Sequence, residues 1–246
     1  MRHLAGNAVS ALFRFVPRSR RFGTALAVAT AAAPLLRRHP IIRGRLEMRV
    51  ETAREIVAYH LLDVLTRRGV TFDPRLRIVG LEHYEAALAR GGGALCIGPH
   101  TMLSTLALRA LWDLGQETVV IAPQDVPIPG TTESFRAIVP SFTFLLEVRR
   151  TLMANGLIIA MVDRAELARK AHLEVMTTQG TLVIADALIH LAVRAQTSMV
   201  FTAARIDGPE VVLTHVPAPE GASADAITEA FITFLQAHVA EVAAAR

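Results

Sequence analysis

The sequence predicts an α/β protein with a mostly parallel central sheet flanked by helices and an N-terminal helical, basic segment. Three apolar runs have the length of buried strands and end at Gly, Pro or polar residues: 94–97, 118–122 and 157–162. Segments with apolar side chains at helical spacing lie between these runs. Strands that alternate with helices favour a parallel sheet covered on both faces.

The chain of 246 residues suits one domain with a sizeable core. We divide it into a basic helical region over residues 1–70, an α/β core over 71–220 and a C-terminal helix over 221–246. Within the first region, an amphipathic helix is predicted over 47–68, with Glu51 and Glu55 turned away from its apolar face.

Local patterns predict the remaining elements. The turn Asp207-Gly208 indicates a hairpin that joins strands at 198–203 and 210–215. The other expected elements are a strand at 76–79, helices at 81–90 and from 103 to 115, a helix at 135–138, a strand at 142–146, and helices at 149–155, 182–194 and 223–243.

Positive charge is concentrated near the N-terminus, where residues 1–75 contain 14 arginines and 5 carboxylates. This distribution suits the anionic face of a membrane better than nucleic acid. The aromatic content of 5% and the lack of a zinc-finger or RNA-binding signature predict no nucleic-acid partner. The apolar stretch at 24–36 is shorter than the roughly 20 residues that a membrane span needs. It is expected to lie in the membrane interface or to pack on the domain.

A single cysteine, Cys96, excludes an internal disulfide and is consistent with a reducing compartment. We therefore expect a cytoplasmic protein, either free or peripheral on the inner face of the cell membrane. Because Cys96 lies inside an apolar strand, it is predicted to be a buried thiol. No residues have the spacing of metal ligands, so no metal is predicted.

The candidate catalytic residue is His100, which follows the strand at 94–97 and the strand-ending pair Gly98-Pro99. In α/β sheets the carboxyl ends of the strands border the crevice that binds ligands. An imidazole there, with an ordinary pKa of about 6.5, can accept a proton at neutral pH. The alternative is that His100 caps the following helix or forms a hydrogen bond inside the core.

A second polar pair, Asp163-Arg164, follows the strand at 157–162. Asp163 is a candidate partner for His100, or it caps the segment that follows. Arg164 is a candidate ligand for a phosphate or carboxylate, with a surface ion pair as the alternative. Ser104 and Thr105 are candidates for the floor of the substrate pocket, or they are ordinary residues of a first helical turn.

Three segments carry a resemblance to a known family. The first reads Arg-Ile-Val-Gly-Leu-Glu-His-Tyr-Glu-Ala-Ala-Leu-Ala-Arg over 77–90 and leads through a glycine-rich turn and an apolar strand to His100. The others are 135–146, which contains Ile-Val-Pro-Ser-Phe, and Met-Val-Asp-Arg-Ala-Glu-Leu at 161–167. Together, over roughly residues 45–205, they resemble the lysophospholipid acyltransferase superfamily. The closer similarity is to its lipid A late acyltransferase branch, which includes phosphatidylinositol mannoside acyltransferases.

This resemblance implies a glycerolipid acyltransferase-like fold and acyl transfer from an acyl-CoA or acyl-carrier-protein thioester. The acceptor would be a hydroxyl or amine of a lipid or small metabolite, with His100 as its general base. No cofactor is implied beyond the thioester as co-substrate.

The chain also departs from the family pattern. Relatives carry Asp or Glu five positions after the histidine, where this chain has Thr105, and a Phe-Phe-Gly segment is replaced by residues 175–178. Three hypotheses follow for the missing acid. Asp163, Glu166 or Asp125 replaces it, or His100 acts alone on an acceptor that loses its proton easily, or the chain no longer transfers acyl groups. In the last case it binds lipid or an acyl-carrier partner, or it has another catalytic role. A further alternative is a hydrolase or cyclase of a carrier-bound acyl chain that uses His100.

Overall fold

The computed structural model describes most of the chain. The described residues are 2–46, 51–72, 75–101, 103, 108, 118–127, 133–163, 172–177 and 180–239. The helices within them are α1 (Arg2–Phe15), α2 (Arg18–Leu36), α3 (Pro40–Leu46), α4 (Ala53–Arg67), α5 (Glu82–Ala89), α6 (Phe144–Met153), α7 (Ala187–Arg194) and α8 (Ala224–His238). The strands are β1 (Leu76–Val79), β2 (Ala94–Gly98), β3 (Thr118–Ile121), β4 (Val126–Pro127), β5 (Ser134–Ile138), β6 (Leu157–Met161), β7 (His172–Thr177), β8 (Gly180–Ala185), β9 (Ser198–Asp207) and β10 (Glu210–Pro217).

The central sheet is mixed and mostly parallel, with the strand order β1-β10-β9-β2-β6-β3-β5-β4. The five inner strands β9, β2, β6, β3 and β5 are mutually parallel. Antiparallel pairs occur only towards its two sides, between β9 and β10 and between β4 and β5. Strands β7 and β8 form a separate antiparallel pair. This architecture confirms the predicted α/β class with a mostly parallel central sheet.

Both faces of the sheet are covered by helices, which explains why β2, β3 and β6 are buried along their whole length. In β2, Leu95 and Ile97 pack in a core that contains buried residues of α6, α7 and α8. Ala94 and Cys96 point to the opposite face, where α5 contributes Tyr84 and Ala87. All five residues of β2 are buried.

Three predicted elements are wrong. Residues 135–138 belong to β5, the strand next to the edge strand β4, and not to a helix; Phe135 and Ile138 are buried and Arg136 is exposed. Residues 142–146 were expected to form a strand, but from Phe144 they form the start of α6. Residues 182–185 belong to β8, so the helix predicted over 182–194 begins only at Ala187. The hairpin through Asp207-Gly208 is confirmed by the pairing of β9 with β10.

The N-terminal helices α1 to α4 pack on the β1-β10-β9 side of the sheet. Their shared core includes Leu26 of α2 and Ile56 of α4, and it reaches Val211 and Leu213 of β10. Among the described residues, no helix is both long and apolar enough to cross a membrane. In α2, Leu26 is buried while Leu35 is exposed, so this helix packs on the domain and also presents apolar side chains outward.

The expectation that Glu51 and Glu55 face away from the core is wrong, because both are buried. Glu55 forms a capping box with Thr52 at the start of α4, and its second carboxylate oxygen accepts a hydrogen bond from the Ile206 N–H of β9 at 3.3 Å. Burial raises the pKa of Glu55 although these bonds oppose the shift. The glutamate therefore joins the helical region to the sheet.

Candidate active site

His100 and Asp163 follow the carboxyl ends of two adjacent strands in the middle of the sheet. Strands β2 and β6 are parallel, and Gly98 is paired with Met161. The pairing continues one step further, because the Val162 N–H donates to the Gly98 carbonyl at 3.1 Å. Both polar residues therefore leave the sheet at the same level. The sequence prediction that Asp163 lies at the neighbouring strand end is confirmed.

A direct hydrogen bond joins the two segments. The His100 backbone N–H donates to the Asp163 carboxylate Oδ1 at 2.8 Å. His100 itself is half-buried. The bond holds the turn after β2 in place and puts a carboxylate beside the backbone of the histidine. Whether this carboxylate acts on the imidazole stays a prediction.

Of the other predicted site residues, only Asp125 belongs to the part of the chain that the structure describes. Ser104, Thr105, Arg164 and Glu166 lie outside that part. Asp125 is exposed, and its Oδ1 accepts a hydrogen bond from the Ala137 N–H of β5 at 2.8 Å. Since β6 and β3 separate β2 from β5, Asp125 stabilises an outer part of the sheet.

A buried polar cluster, which the sequence did not predict, lies beside β2 on the face of the sheet that α5 covers. It consists of Tyr84, Cys96, Thr202 and His215. The Tyr84 hydroxyl lies 3.0 Å from the Cys96 Sγ and 2.9 Å from the His215 Nδ1, and the Thr202 Oγ1 lies 3.0 Å from the same nitrogen. The Tyr84 and His215 rings also pack edge to face, with their centroids 4.8 Å apart. Four elements, α5, β2, β9 and β10, thus share one hydrogen-bonded network.

Burial keeps this cluster uncharged at neutral pH. It raises the pKa of Tyr84 well above its usual range and that of Cys96 to about 12. It lowers the pKa of His215 to about 4, with smaller effects from His83 and Glu82. An uncharged thiol is a poor nucleophile, so the prediction that Cys96 is a buried thiol is confirmed.

Two glycines allow the cluster and the His100 turn to lie close to neighbouring strands. A Cβ at Gly80 would lie 2.1 Å from the His215 carbonyl oxygen, and the φ of Gly80 is +82°. A Cβ at Gly98 would lie 2.5 Å from the Thr202 carbonyl oxygen. Gly80 and Tyr84 both belong to the segment 77–90 that carries the family resemblance. That segment was the available signal for the cluster, although it indicated no partner.

A surface cleft of about 450 Å³ lies at the opposite end of the strands, where β2 and β9 begin. Its lining includes Gln196, Thr197 and the ion-paired Arg90 and Glu220. Of the predicted site residues that the structure describes, neither His100 nor Asp163 lines it. In the described part of the chain, no three His, Cys, Asp or Glu side chains are grouped as metal ligands would be.

Comparison with protein-family models and with curated proteins finds no match for this chain. The position of His100 in the sheet and its bond to Asp163 are therefore the observations from which a function can be inferred.

Proposed function

We propose that the protein transfers an acyl group from an acyl-CoA or acyl-carrier-protein thioester to a hydroxyl or amine acceptor, with His100 as general base. One observation carries the proposal. The Asp163 carboxylate binds the backbone N–H of His100 where two central parallel strands end. Open α/β sheets bind their ligands at these carboxyl ends of the strands.

In the proposed reaction, the imidazole of His100 takes the proton of the acceptor as the acceptor oxygen or nitrogen attacks the thioester carbonyl. The tetrahedral intermediate then collapses, the C–S bond breaks, and the imidazolium returns the proton to the departing thiolate. The negative charge of Asp163 stabilises the imidazolium while it exists. Thr105, at the position of the family's acid, carries no charge and cannot do this.

The remaining predicted residues have supporting roles in this proposal. Arg164 would bind a phosphate of the donor or acceptor, because its guanidinium matches phosphate geometry. Ser104 and Thr105 would form the pocket floor next to His100 in the sequence.

The proposal includes peripheral attachment to the inner face of the cell membrane through the N-terminal helices. Phe15 at the end of α1 and Leu35 near the end of α2 are exposed, and Arg20 and Arg38 are exposed close to them in the sequence. Apolar side chains flanked by arginines are typical of helices that lie on an anionic membrane surface. A lipid acceptor would then be within reach of the protein.

The test is thiol release from a panel of acyl-CoA and acyl-carrier-protein thioesters, with and without acceptor alcohols and amines. We expect His100→Ala to lower turnover by about 10²- to 10⁴-fold, the usual contribution of a general base. Asp163→Asn retains an oxygen that can accept the His100 N–H bond, so it should fold normally and still lose activity. His190→Gln, at a partly exposed histidine of α7, is the matched control and should leave turnover unchanged.

Two outcomes separate this function from its alternatives. Thiol release that depends on His100 but needs no acceptor would indicate a hydrolase or cyclase of the acyl chain. The replacement of the acid by Thr105 favours a second candidate, a homologue that binds lipid or an acyl carrier without catalysis. Binding of these molecules without thiol release would support it. Turnover that is unchanged in His100→Ala would refute the proposed mechanism.

A further inference from the structure

Helix α6 has apolar side chains both on the face that packs on the sheet and on the face that points outward. It connects β5 to β6, and its inner residues Val148 and Leu152 are fully buried in the core. Because β5 and β6 are parallel, α6 begins at the carboxyl ends of the strands, where His100 and Asp163 lie, and runs back towards the amino ends. The inner face accounts for the packing of this helix on the sheet. It does not explain the apolar side chains on the outside.

The outer face carries four exposed apolar side chains. Phe142, just before the helix, is fully exposed, and Leu146 and Met153 are 49% and 69% exposed. Leu145 is exposed beside them. Within α6, residues 146, 149 and 153 follow one another at intervals of three and four, so they share one side of the helix, and Phe142 precedes them. We call Phe142, Leu145, Leu146 and Met153 the α6 outer stripe.

The polar residues of this side are mainly cationic. Arg149 lies within the stripe by its spacing, and Arg150 follows it; both are exposed. Among the described residues, neither arginine has a carboxylate within ion-pairing distance. The nearby Glu147 accepts a hydrogen bond from the Thr143 hydroxyl at 3.4 Å and lies on the flank of the helix. The stripe thus combines apolar side chains with uncompensated positive charge.

We propose that the α6 outer stripe inserts into the interface of an anionic lipid membrane. Exposed aromatic and aliphatic side chains with adjacent arginines are the chemistry of helices that lie in a membrane surface. Phe142 is fully exposed, and exposed apolar side chains enter a fluid interface without needing a preformed groove. A symmetric contact with a second copy would bring the same arginines together, which opposes self-association. This surface lies on the opposite face of the sheet from the N-terminal helices, so it defines a second orientation on the membrane, and it requires no acyl transfer.

An environment-sensitive fluorophore on Leu146→Cys tests the contact directly. The native Cys96 is buried and its pKa is raised to about 12, so labelling is confined to the introduced thiol. Val79→Cys, on the outer strand β1, is the matched control because Val79 is 43% exposed. We expect the Leu146 label to shift to shorter wavelength with phosphatidylcholine–phosphatidylglycerol vesicles, and the Val79 label to stay unchanged. The shift should be small with phosphatidylcholine alone and should weaken with salt.

Sedimentation with the same vesicles measures the contribution to binding. Phe142→Ser with Leu146→Ser should lower partitioning by about tenfold, and Val79→Ser should leave it unchanged. Arg149→Ser should lower binding to the anionic vesicles by roughly fivefold. Circular dichroism checks that each variant is folded.

Three results would overturn the proposal. The first is a Leu146 label that does not respond to anionic vesicles, even if the protein sediments with them through its N-terminal helices. The second is a shift that depends on protein concentration without vesicles, which would identify a second copy as the partner. The third is a response to an acidic carrier protein but not to lipid. Because these measurements use no thioester, each result is independent of whether acyl transfer occurs.

Discussion

The glycine that ends β2 provides a direct link between the packing of the sheet and the candidate site. Gly98 lies two residues before His100 and directly beside Thr202 of β9. A Cβ there would lie 2.5 Å from the Thr202 carbonyl oxygen and 2.8 Å from its Cγ2. Gly98→Ala therefore forces β2 and β9 apart at the point where the His100 turn begins.

The size of the effect follows from these distances. Ordinary contact begins near 3.4 Å, so the two backbones must separate by roughly 1 Å. The obstacle is a backbone atom of a paired strand, which cannot rotate away. We expect a loss of about 3 kcal/mol in the free energy of unfolding, at the upper end of the range for overpacked cores. In a chain of this length that corresponds to a fall in Tm of about 6–12 °C. A displacement of His100 by a similar distance should lower turnover by about 10²-fold.

Urea unfolding followed by circular dichroism measures the stability, and thiol release measures the turnover. Gly23→Ala in α2 is the control, because its Cβ would meet only Pro209 at 3.8 Å. That change should keep or raise stability, by up to about 1 kcal/mol, since alanine favours a helix. If Gly98→Ala unfolds within about 0.5 kcal/mol of the parent chain, the close approach of β2 and β9 is wrong.

Three further predictions concern the buried cluster and the N-terminal helices. Tyr84→Phe removes the hydroxyl that contacts Cys96 and His215, so urea unfolding should show a loss of about 1–2 kcal/mol; Tyr59→Phe, at a half-buried position, should cost less than half of this. His215 has a pKa of about 4 when folded and near 6.5 when unfolded, so the unfolded state binds more protons between these values. The free energy of unfolding should therefore fall by roughly 3 kcal/mol as the pH drops through that range, and a His215→Gln chain with the same slope would contradict this. Leu26→Ala, at a buried position of α2, should cost about 2–5 kcal/mol, whereas Leu35→Ala, at an exposed one, should change stability by less than about 0.5 kcal/mol and lower vesicle binding.

The sequence predicted β2, β3 and β6 well because burial on both faces makes them almost continuously apolar. It failed where apolar residues have more than one explanation. The run Phe-Thr-Phe-Leu-Leu at 142–146 was interpreted as a strand, but Leu145 and Leu146 are exposed on the outside of α6. Residues 182–185 precede a helix and share its apolar character, so the boundary between β8 and α7 left no clear signal.

The site could be predicted only in part, because strand order is not contained in a local pattern. His100 and Asp163 were each found from their positions at strand ends, and their contact depends on β2 and β6 being neighbours across 63 residues. The buried cluster needs contacts over a still longer separation, since Tyr84 and His215 are 131 residues apart. A tyrosine and a histidine in apolar segments gave no indication of a shared network.

The N-terminal helices and the candidate site are parts of one packed structure. Leu103, three residues after His100, is buried in the core that α1 to α4 form with β9 and β10. Removing residues 1–45 would take away Phe22, Leu26 and Ile42 from that core and uncover Leu103. Loss of activity in such a truncated chain would therefore not distinguish membrane attachment from damage to the site. Substitutions on the outward residues, such as Leu35 on α2 and Leu146 on α6, leave the core intact and separate the two effects.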